Sequence, residues 1–560
     1  MLKDKLIQKV VFNTCASRGE KAFARLDEAC RHSKQEQEDI LMRIVRDNEN
    51  TEYGKKYHFD QIHSVDDYKR LVPFSTYDDY AIYIQRMLND EKNLITTYPI
   101  NHYAVSSGSA GNPKSVPISQ ETLDLYAEAA NMDCAIGRAC SPNGKLPVGR
   151  TIAMLEMEES YTKNGVSIGS ISQTALLKVK NFFPSVFTSP TPVIIFQEPL
   201  DMRYLKTRYA LEAKDAINIS ASFMNYVLDL MVYTEANWEM LVEDIRLGRI
   251  NDSINAGVKT RPELEKNLKP NPKRADELQA IFEEGFDTPI MKRIWPNMTW
   301  IYAIGTAGFA IYTEKVRRYS GDVPVFYGVY AASEAMMAQS RHAEDEDFVL
   351  IPYGGYFEFI PLDAEDQETT LSADQLEVGK DYEIIVTNLS GFYRYKIKDV
   401  IRVTGFTDEA PRIKFVFRRN QLINLAAEKT NDEQMSWVIR EFEKETGSKV
   451  MDYSVYPDTE SKPPRYVVFM EADPIPDQSL DELSDLVHTK LSITNPDVDE
   501  VYQHGTIAKS RVLFVQPETY LLYRELMIRK GASANQLKPV RILDNPFRQK
   551  FFFRLLEKKD

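Results

Sequence analysis

Hydrophobic and polar residues are interleaved at helical spacing through the first 95 residues, which predicts a mainly helical start. The clearest amphipathic stretch is residues 36–47, EQEDILMRIVRD. Apolar alternation then predicts a strand from Tyr98 to Val105. After residue 150, β-rich runs alternate with a helical pattern around residues 222–232, and these runs are 151–157, 191–196, 298–305 and 323–330. Strands that alternate with helices predict an α/β architecture.

Strand-like runs are denser in residues 349–420 and predict an antiparallel subdomain that ends near Arg419. Beyond it the pattern predicts a mixed region, with helices over 431–444, 479–491 and 519–529 and strands over 451–456 and 465–472. A region of this size is typical of a single domain. The sequence therefore predicts a large N-terminal domain, 1–418, and a small C-terminal domain, 419–560.

Composition limits the kinds of binding partner and the cellular compartment that we expect for this protein. The formal net charge of −14 argues against nucleic-acid binding through a basic face. The first residues lack the apolar core of a signal peptide, and no apolar run is long enough for a transmembrane helix. Four cysteines in a long chain, none of them in a C-x-x-C pair, favour a reducing compartment. We expect a cytoplasmic protein, with a monomer favoured, that binds neither membranes nor nucleic acids.

The segment richest in groups that can bind an anion is residues 106–114, SSGSAGNPK, which follows the predicted strand. Gly108 and Gly111 allow backbone N–H groups to turn toward an anion, and the serine hydroxyls add further donors. Lys114 adds a positive charge. The segment predicts a phosphate-binding loop, although its spacing is not that of a Walker A loop. The alternative is a Ser/Gly surface turn.

Three later segments carry complementary groups. Residues 330–334, YAASE, offer an aromatic face for a nucleobase, a hydroxyl for phosphate and a carboxylate for Mg²⁺. Residues 393–399, YRYKIKD, end in an aspartate that could accept both hydroxyls of a ribose, and residues 531–538, GASANQLK, place a lysine after a polar loop. Taken singly, the alternatives are a helix start at Glu334, a cationic edge strand and a solvated surface lysine.

Together, in this order and spacing, the segments resemble the adenylate-forming superfamily of acyl-CoA synthetases, peptide-synthetase adenylation domains and luciferases. More narrowly, the chain resembles the GH3 family of acyl-acid amido synthetases, which includes the plant auxin- and jasmonate-conjugating enzymes. The residues that carry this resemblance are 53–57, YGKKY; 393–406, YRYKIKDVIRVTGF; 411–424, PRIKFVFRRNQLIN; and 531–542, GASANQLKPVRI. The resemblance covers nearly the whole chain.

The resemblance implies a fold and a reaction. The fold would be the α/β adenylate-forming, firefly-luciferase-like fold, with a large N-terminal α/β domain that contains a β subdomain and a small mobile α+β C-terminal domain. The reaction would use ATP and Mg²⁺ to adenylate a carboxylic acid, with release of pyrophosphate. The acyl group would then pass to an amine, most simply an amino acid, with release of AMP. The alternative within the superfamily is transfer to coenzyme A.

The resemblance also implies roles for individual residues around the nucleotide. The ATP phosphates would be contacted by four residues of the first segment: Ser106, Ser107, Ser109 and Lys114. Tyr330, Ser333 and Glu334 would shape the nucleotide site, Glu334 through Mg²⁺. Asp399 would hold the ribose.

In the C-terminal region, Arg418 or Arg419 would lie at the hinge and touch the nucleotide. Lys538 would neutralise charge in the transition state of adenylation, so the catalytic set implied is Lys114, Glu334 and Lys538. One position departs from the family pattern, which has glycine before the ribose aspartate where this chain has Lys398. The Lys398 side chain either leans away or crowds the ribose, and this departure alone favours a non-catalytic binder that retains the fold.

Two other patterns suggest different functions. Residues 165–169, GVSIG, match the G-x-S-x-G elbow of hydrolases, with His342, His488 or His504 as later partners. The preceding β-rich run ends too early to lead straight into the serine, which argues against a hydrolase. Residues 341–347, RHAEDED, suggest a metal site but are more typical of a solvated acidic loop. For the acid substrate, we expect the pocket to be lined by residues 303–308 and 167–172.

Overall fold

The computed structural model describes residues 2–106, 114–157, 160–171, 180–364, 368–419, 423, 425–426, 428–532 and 537–557. The chain divides into two compact units, Met1–Phe415 and Val416–Asp560. Within the described residues, no helix combines the length and the apolar character that a membrane span requires.

The first unit begins with five helices, as the pattern predicts. They are α1 (Leu2–Arg31), α2 (Ser33–Asp47), α3 (Glu52–Lys56), α4 (Val65–Leu71) and α5 (Tyr77–Leu88). The local sequence fixes their starts, because the side chains of Thr51 and Ser64 accept hydrogen bonds from backbone N–H groups of the first turn of α3 and α4. Thr76 and Asp79 form a capping box at the start of α5.

Fifteen strands span the rest of this unit and the junction with the second unit, counted over the described residues. They are β1 (Ile100–Ser106), β2 (Lys114–Ser119), β3 (Arg150–Ala153), β4 (Ser160–Tyr161), β5 (Ser167–Gly169), β6 (Ala216–Phe223), β7 (Trp300–Ile304), β8 (Val325–Phe326), β9 (Val329–Ala331), β10 (Met336–Gln339), β11 (Phe348–Leu350), β12 (Tyr356–Pro361), β13 (Asp381–Thr387), β14 (Tyr395–Thr407) and β15 (Ala410–Arg418).

Nine further helices of the first unit lie among these strands in the described part of the chain. They are α6 (Gln120–Cys140), α7 (Phe183–Val186), α8 (Thr191–Ile194), α9 (Met202–Glu212), α10 (Met224–Leu247), α11 (Thr260–Asn267), α12 (Pro272–Glu283), α13 (Met291–Ile294) and α14 (Ala310–Ser320). The strand predicted over residues 191–196 is wrong, because α8 occupies most of it. Pro192 lies in the first turn of α8, where a missing N–H costs nothing.

A parallel sheet with the order β3-β6-β7-β8 confirms the predicted α/β architecture. The connections between its neighbouring strands contain helices, among them α9 before β6, α10 between β6 and β7, and α14 between β7 and β8. A second sheet has the order β2-β1-β5-β4. In it β1 and β2 are antiparallel, and Ser106 is paired with Lys114 across the predicted phosphate loop.

The antiparallel subdomain is a seven-stranded sheet with the order β12-β13-β14-β15-β11-β10-β9. Strand β14 lies inside this sheet, so the edge-strand alternative for residues 393–399 is wrong. Residues 330–334 lie on β9 and in the turn that leads to β10, and the backbone N–H of Ala332 donates to Ala335 across that turn (2.9 Å). The helix-start alternative for Glu334 is therefore also wrong.

The residue that departs from the family pattern lies in a β-bulge. Glu383 pairs with Val400 and Ile385 pairs with Lys396, so Ile384 alone faces three residues of β14. Lys398 is in the left-handed region at φ 67°, and its side chain is exposed. Glycine adopts this backbone without a steric cost, which gives a physical reason for glycine at this position. The exposed side chain corresponds to the case in which Lys398 leans away.

The second unit contains β16 (Lys449–Asp458), β17 (Arg465–Asp473) and β18 (Arg511–Phe514) in one sheet of that order. Its helices, over the described residues, are α15 (Asp432–Thr446), α16 (Leu480–Thr494), α17 (Pro496–Gln503), α18 (Thr519–Arg529) and α19 (Pro546–Arg554). Capping boxes at Asn431 and Ser479 begin α15 and α16, as the sequence predicts. Gly531 has φ 95° just beyond α18, which suits a helix end.

Candidate active site

The predicted ribose aspartate is buried and held by a tyrosine from the predicted nucleotide segment. Asp399 is 2% exposed, and its Oδ2 accepts a hydrogen bond from the Tyr330 hydroxyl at 2.9 Å. Three strands separate β14 from β9 in the sheet, so a flat sheet would keep these two strands about 19 Å apart. The sheet must therefore curl, so that its edge strand β9 approaches the interior strand β14. The Tyr330 ring packs against Phe348 and Phe415.

Strand β14 also contacts Glu334, at the other end of the 330–334 segment. The Tyr395 hydroxyl of β14 donates to Oε1 of Glu334 at 3.3 Å, and the Asn388 amide donates to the Glu334 backbone carbonyl at 2.6 Å. The Glu334 side chain is half-buried. Two tyrosine–carboxylate contacts thus join β14 to β9 and to the turn between β9 and β10. The two carboxylates lie in different environments, because Asp399 is buried and closely held whereas Glu334 is partly open to solvent.

Two further tyrosines surround Glu334. Burial, followed by the Glu334 charge, raises the pKa of Tyr77 and of Tyr126, which keeps both hydroxyls protonated. The Tyr126 hydroxyl donates to the Ala332 carbonyl at 2.9 Å and fixes the turn to α6. Tyr77 reaches β2, where its hydroxyl accepts from the Ser115 N–H at 3.1 Å.

Lys114 completes this set of contacts. Its Nζ lies 4.8 Å from the centre of the Tyr77 ring, which is within the range of a cation–π contact. Tyr77 therefore contacts a cation beside the predicted phosphate loop, and its own pKa is raised in part by the charge of Glu334. The first unit brings together the predicted residues Lys114, Tyr330, Glu334 and Asp399, with Ser333 half-buried in the turn between two of them.

Six predicted residues remain. Ser106 ends β1 opposite Lys114, whereas Ser107 and Ser109 lie outside the described residues. The second unit contains the remaining three: Arg418, which ends β15, Arg419, and Lys538, whose side chain is exposed between α18 and α19. For these residues the roles implied by the resemblance stay predictions.

Sequence reasoning missed four residues of the site: Tyr77, Tyr126, Asn388 and Tyr395. Tyr395 stands inside the 393–399 segment, so its position was visible, but nothing in the pattern indicated Glu334 as its partner. The other three lie on α5, on α6 and in the loop before β14. Scattered polar residues of this kind carry no local signal, because their meeting depends on how the elements pack.

The donor set fits a nucleotide with Mg²⁺. A carboxylate has about four lone-pair positions and accepts hydrogen bonds at both oxygens, which is the chemistry that a ribose diol requires of its partner. Mg²⁺ is commonly bound by one or two carboxylates together with substrate phosphates. The half-buried Glu334 carboxylate suits that arrangement. Over the described residues, no group of three or more His, Cys, Asp and Glu side chains forms a metal cage.

The region predicted to line the acid pocket follows the carboxyl end of β7, an edge of a parallel sheet where ligands commonly bind. There the rings of Phe223 and Phe309 stack at 4.6 Å, and Ala307 has φ 52°. Of the second predicted segment, residues 167–171 are described and residue 172 is not. The assignment of this pocket stays a prediction.

The hydrolase pattern has a different geometry from an elbow. Ser167 begins the short strand β5, and its Oγ lies 2.9 Å from Nδ1 of His102 on β1. The His102 Nε2 lies 3.2 Å from the Gly169 carbonyl, and burial lowers the pKa of His102 to about 4. Both ring nitrogens therefore have protein partners. Ser167 is the first residue of β5, whereas the serine of an elbow lies in the turn at the end of a strand. The pair ties β1 to β5.

The acidic loop is a set of ion pairs. Glu344, Glu346 and Asp347 pair with Arg317, Lys414 and Arg412 respectively. These contacts fasten the loop to α14 and β15, which agrees with the interpretation of a surface loop.

Comparison with known families decides the family of the chain. The family model described as the GH3 family N-terminal domain matches residues 22–325, the central-domain model matches 348–418, and the C-terminal-domain model matches 433–546. The chain belongs to the GH3 family. The predicted family and the predicted adenylate-forming α/β fold are thereby confirmed.

Individual members of the GH3 family match over nearly the full length. An indole-3-acetic acid-amido synthetase, GH3.4 of Arabidopsis thaliana, is 28% identical, and the match covers 96% of this chain and 94% of the relative. A 4-substituted benzoates-glutamate ligase, GH3.12 of the same plant, is 26% identical over 90% of this chain and 92% of the relative. The solved structure of the GH3.15 acyl acid amido synthetase superposes with a TM-score of 0.83, at 25% identity and 96% coverage of both chains.

Proposed function

We propose that this GH3 protein is an ATP-dependent ligase that joins a carboxylic acid to the amine of an amino acid through an acyl-adenylate. Full-length similarity to amido synthetases is the observation that carries the proposal. It favours an amine over coenzyme A as acceptor, because these relatives are named for amide-forming reactions. The tyrosine-held carboxylates of the first unit support the nucleotide part.

In this scheme the acid substrate attacks the α-phosphorus of ATP, and pyrophosphate leaves. Negative charge grows on the phosphoryl oxygens, so fixed cations and donors lower the barrier. Lys114, with Ser106, Ser107 and Ser109, would hold the phosphates. Glu334 would bind Mg²⁺, which would neutralise phosphate charge. Asp399, oriented by Tyr330, would accept the ribose hydroxyls, and Ser333 would line the site beside Glu334.

In the second half-reaction the amine attacks the acyl carbon, and AMP leaves. The two half-reactions need different surroundings, which a C-terminal domain that reorients could provide. We propose that Arg418 and Arg419 serve the hinge between domains 1–418 and 419–560. Lys538 would act in adenylation alone. We also propose a cytoplasmic location, since the four cysteines are free thiols, which suits a reducing compartment.

The test is acid-dependent ATP–pyrophosphate exchange, screened over carboxylic acids with Mg²⁺ present. We expect exchange with at least one acid, and AMP with an amide product once the right amino acid is added. Release of ADP and phosphate would contradict the proposal, because adenylation breaks the α–β bond. Coenzyme A tested in place of the amino acid separates the two acceptors, and the Asp399→Ala variant excludes a contaminating enzyme.

The assignment of Lys538 has its own test in paired single-turnover assays. Lys538→Ala should slow acyl-adenylate formation by a factor of about 10² or more. Amide formation from supplied synthetic acyl-adenylate should be much less affected. Lys550→Ala removes another exposed lysine of the second unit and serves as the control. Equal losses in both steps, or no loss, would remove Lys538 from the adenylation step.

A further inference from the structure

Helices α1 and α6 pack as an antiparallel pair in the first unit. Arg25 of α1 pairs with Glu128 of α6 at 2.7 Å, and Arg138 donates to the Asn13 carbonyl at 3.0 Å. Residue numbers therefore fall along α1 as they rise along α6. In that register Cys15 of α1 comes opposite Cys134 of α6.

The two backbones are unusually close where these cysteines meet. A Cβ built on Gly19 would lie 2.1 Å from the backbone carbonyl oxygen of Asn131, so only glycine fits there. Cys15 lies one turn from Gly19 on the same face of α1, and Cys134 lies one turn from Asn131 on α6. Short side chains can meet at such a separation, and Cys15 and Cys134 lie close enough for each thiol to shift the pKa of the other.

The surroundings make the two thiols unequal. The hydrogen bond from Cys134, aided by Arg18, holds the pKa of the Cys15 thiol below its usual range. The same contact and burial raise the pKa of Cys134. Cys15 is half-buried on α1, so a small oxidant can reach it. A low-pKa thiolate with a second thiol in contact is the arrangement in which a sulfenic acid is resolved as a disulfide.

We propose that Cys15 and Cys134 form a reversible disulfide on exposure to a peroxide, and that this bond ties α1 to α6. The Cys15 thiolate attacks a peroxide oxygen, which gives a sulfenic acid and hydroxide. The Cys134 thiol then attacks the sulfenic sulfur, and water leaves. The sum is two thiols and one hydrogen peroxide converted to one disulfide and two waters. A dithiol such as dithiothreitol reverses the reaction by exchange.

The experiment treats the folded full-length protein with hydrogen peroxide, blocks the remaining thiols with iodoacetamide and maps tryptic peptides by mass. Trypsin places the four cysteines on four separate peptides: 10–18, 26–31, 115–138 and 139–145. We expect peptides 10–18 and 115–138 to appear cross-linked, with two hydrogens lost. Cys30, which is buried and has its pKa raised to about 12, and Cys140 should be alkylated once the protein is denatured.

Three variants serve as controls. Cys15→Ser and Cys134→Ser should each abolish the cross-linked peptide, whereas Cys140→Ser, on the same helix as Cys134, should leave its yield unchanged. Dithiothreitol should restore all four alkylated peptides in the wild type. A cross-link that includes Cys30 or Cys140, a bond between two molecules, or oxidation of Cys15 to sulfinic or sulfonic acid without any cross-link would overturn the proposal. The wild-type map needs no variant to fold.

Discussion

Two pairs of polar side chains, His102–Ser167 and Tyr330–Asp399, each join two strands of the first unit, but the two pairs differ in their roles. His102 and Ser167 join the adjacent strands β1 and β5, and Ser167 begins β5 instead of following the end of a strand. Tyr330 and Asp399 join β9 and β14 across a curled sheet. A search for catalytic patterns finds both, because each contains a residue type that enzymes use in chemistry.

What separates the two pairs is the bonding capacity of their buried atoms. Both His102 nitrogens have protein partners, and burial opposes protonation of the ring. Asp399 is a carboxylate, which accepts hydrogen bonds at both oxygens, and its strand also contacts Glu334. A reactive residue type is therefore informative only together with its partners: the first pair ties strands together, and the second pair positions an acceptor.

Among changes to these two pairs, Asp399→Ala should have the largest effect. Loss of a charged acceptor would leave the ribose hydroxyls without their partner, at a cost of roughly 1.5–3 kcal/mol. The kcat/KM for ATP should fall about ten- to hundredfold. Steady-state kinetics, with circular dichroism to establish folding, measures it. Unchanged kcat/KM in a folded variant would mean that both pairs are structural and that the ribose site lies elsewhere.

The His102 pair should show its structural role in the pH dependence of stability. The folded-state pKa of about 4 lies below the ordinary 6.5, so the unfolded chain binds a proton that the fold excludes, and stability falls as pH falls through this window. Between pH 7.5 and 5 the wild type should lose about 2 kcal/mol that His102→Gln does not lose. Urea unfolding at both pH values measures it.

His32→Gln is the control for this pH dependence, because the His32 side chain is exposed. It should retain the wild-type difference between pH 7.5 and pH 5. If His102→Gln also retains that difference in full, the ring is not kept neutral by the fold.

Ser167→Ala tests the same pair without touching a titrating group. The lost hydrogen bond should cost about 1 kcal/mol of stability. The kcat at saturating acid should stay at the wild-type value, because Ser167 belongs to the predicted wall of the acid pocket and not to the groups that act on the phosphates. Chemical denaturation and the exchange assay measure the two quantities. A loss of turnover at unchanged stability would revive a catalytic serine and would erase the distinction between the two pairs.

The smallest effect is expected at Lys398, next to Asp399. Lys398→Gly removes a Cβ from a left-handed backbone, and the gain is partly offset by the greater freedom of glycine in the unfolded chain. The net stabilisation should lie between zero and about 1 kcal/mol, with activity unchanged or raised. Lys396→Gly, which lies on regular backbone of the same strand, should destabilise instead. A collapse of activity in Lys398→Gly would show a role for the lysine itself.

Much of the local structure is determined by the sequence alone. Helices with a strong start signal, such as those capped at Asn431 and Ser479, begin where the pattern predicts, because capping involves residues within one turn. The strand-rich subdomain and the parallel α/β sheet follow from apolar periodicity. The family was predicted from segments 393–406, 411–424 and 531–542, because their amino-acid sequences are specific to it.

The tertiary structure alone decided which of these residues meet. The short helix over Thr191–Ile194 replaces a predicted strand, because an apolar run of this length fits either element and its environment selects one. The contacts Tyr330–Asp399 and Tyr395–Glu334, and the helix packing that sets Cys15 opposite Cys134, join residues far apart in the chain. They depend on the curl of a seven-stranded sheet and on the close approach of two helices, which arise from the packing of the whole unit and which no local pattern encodes.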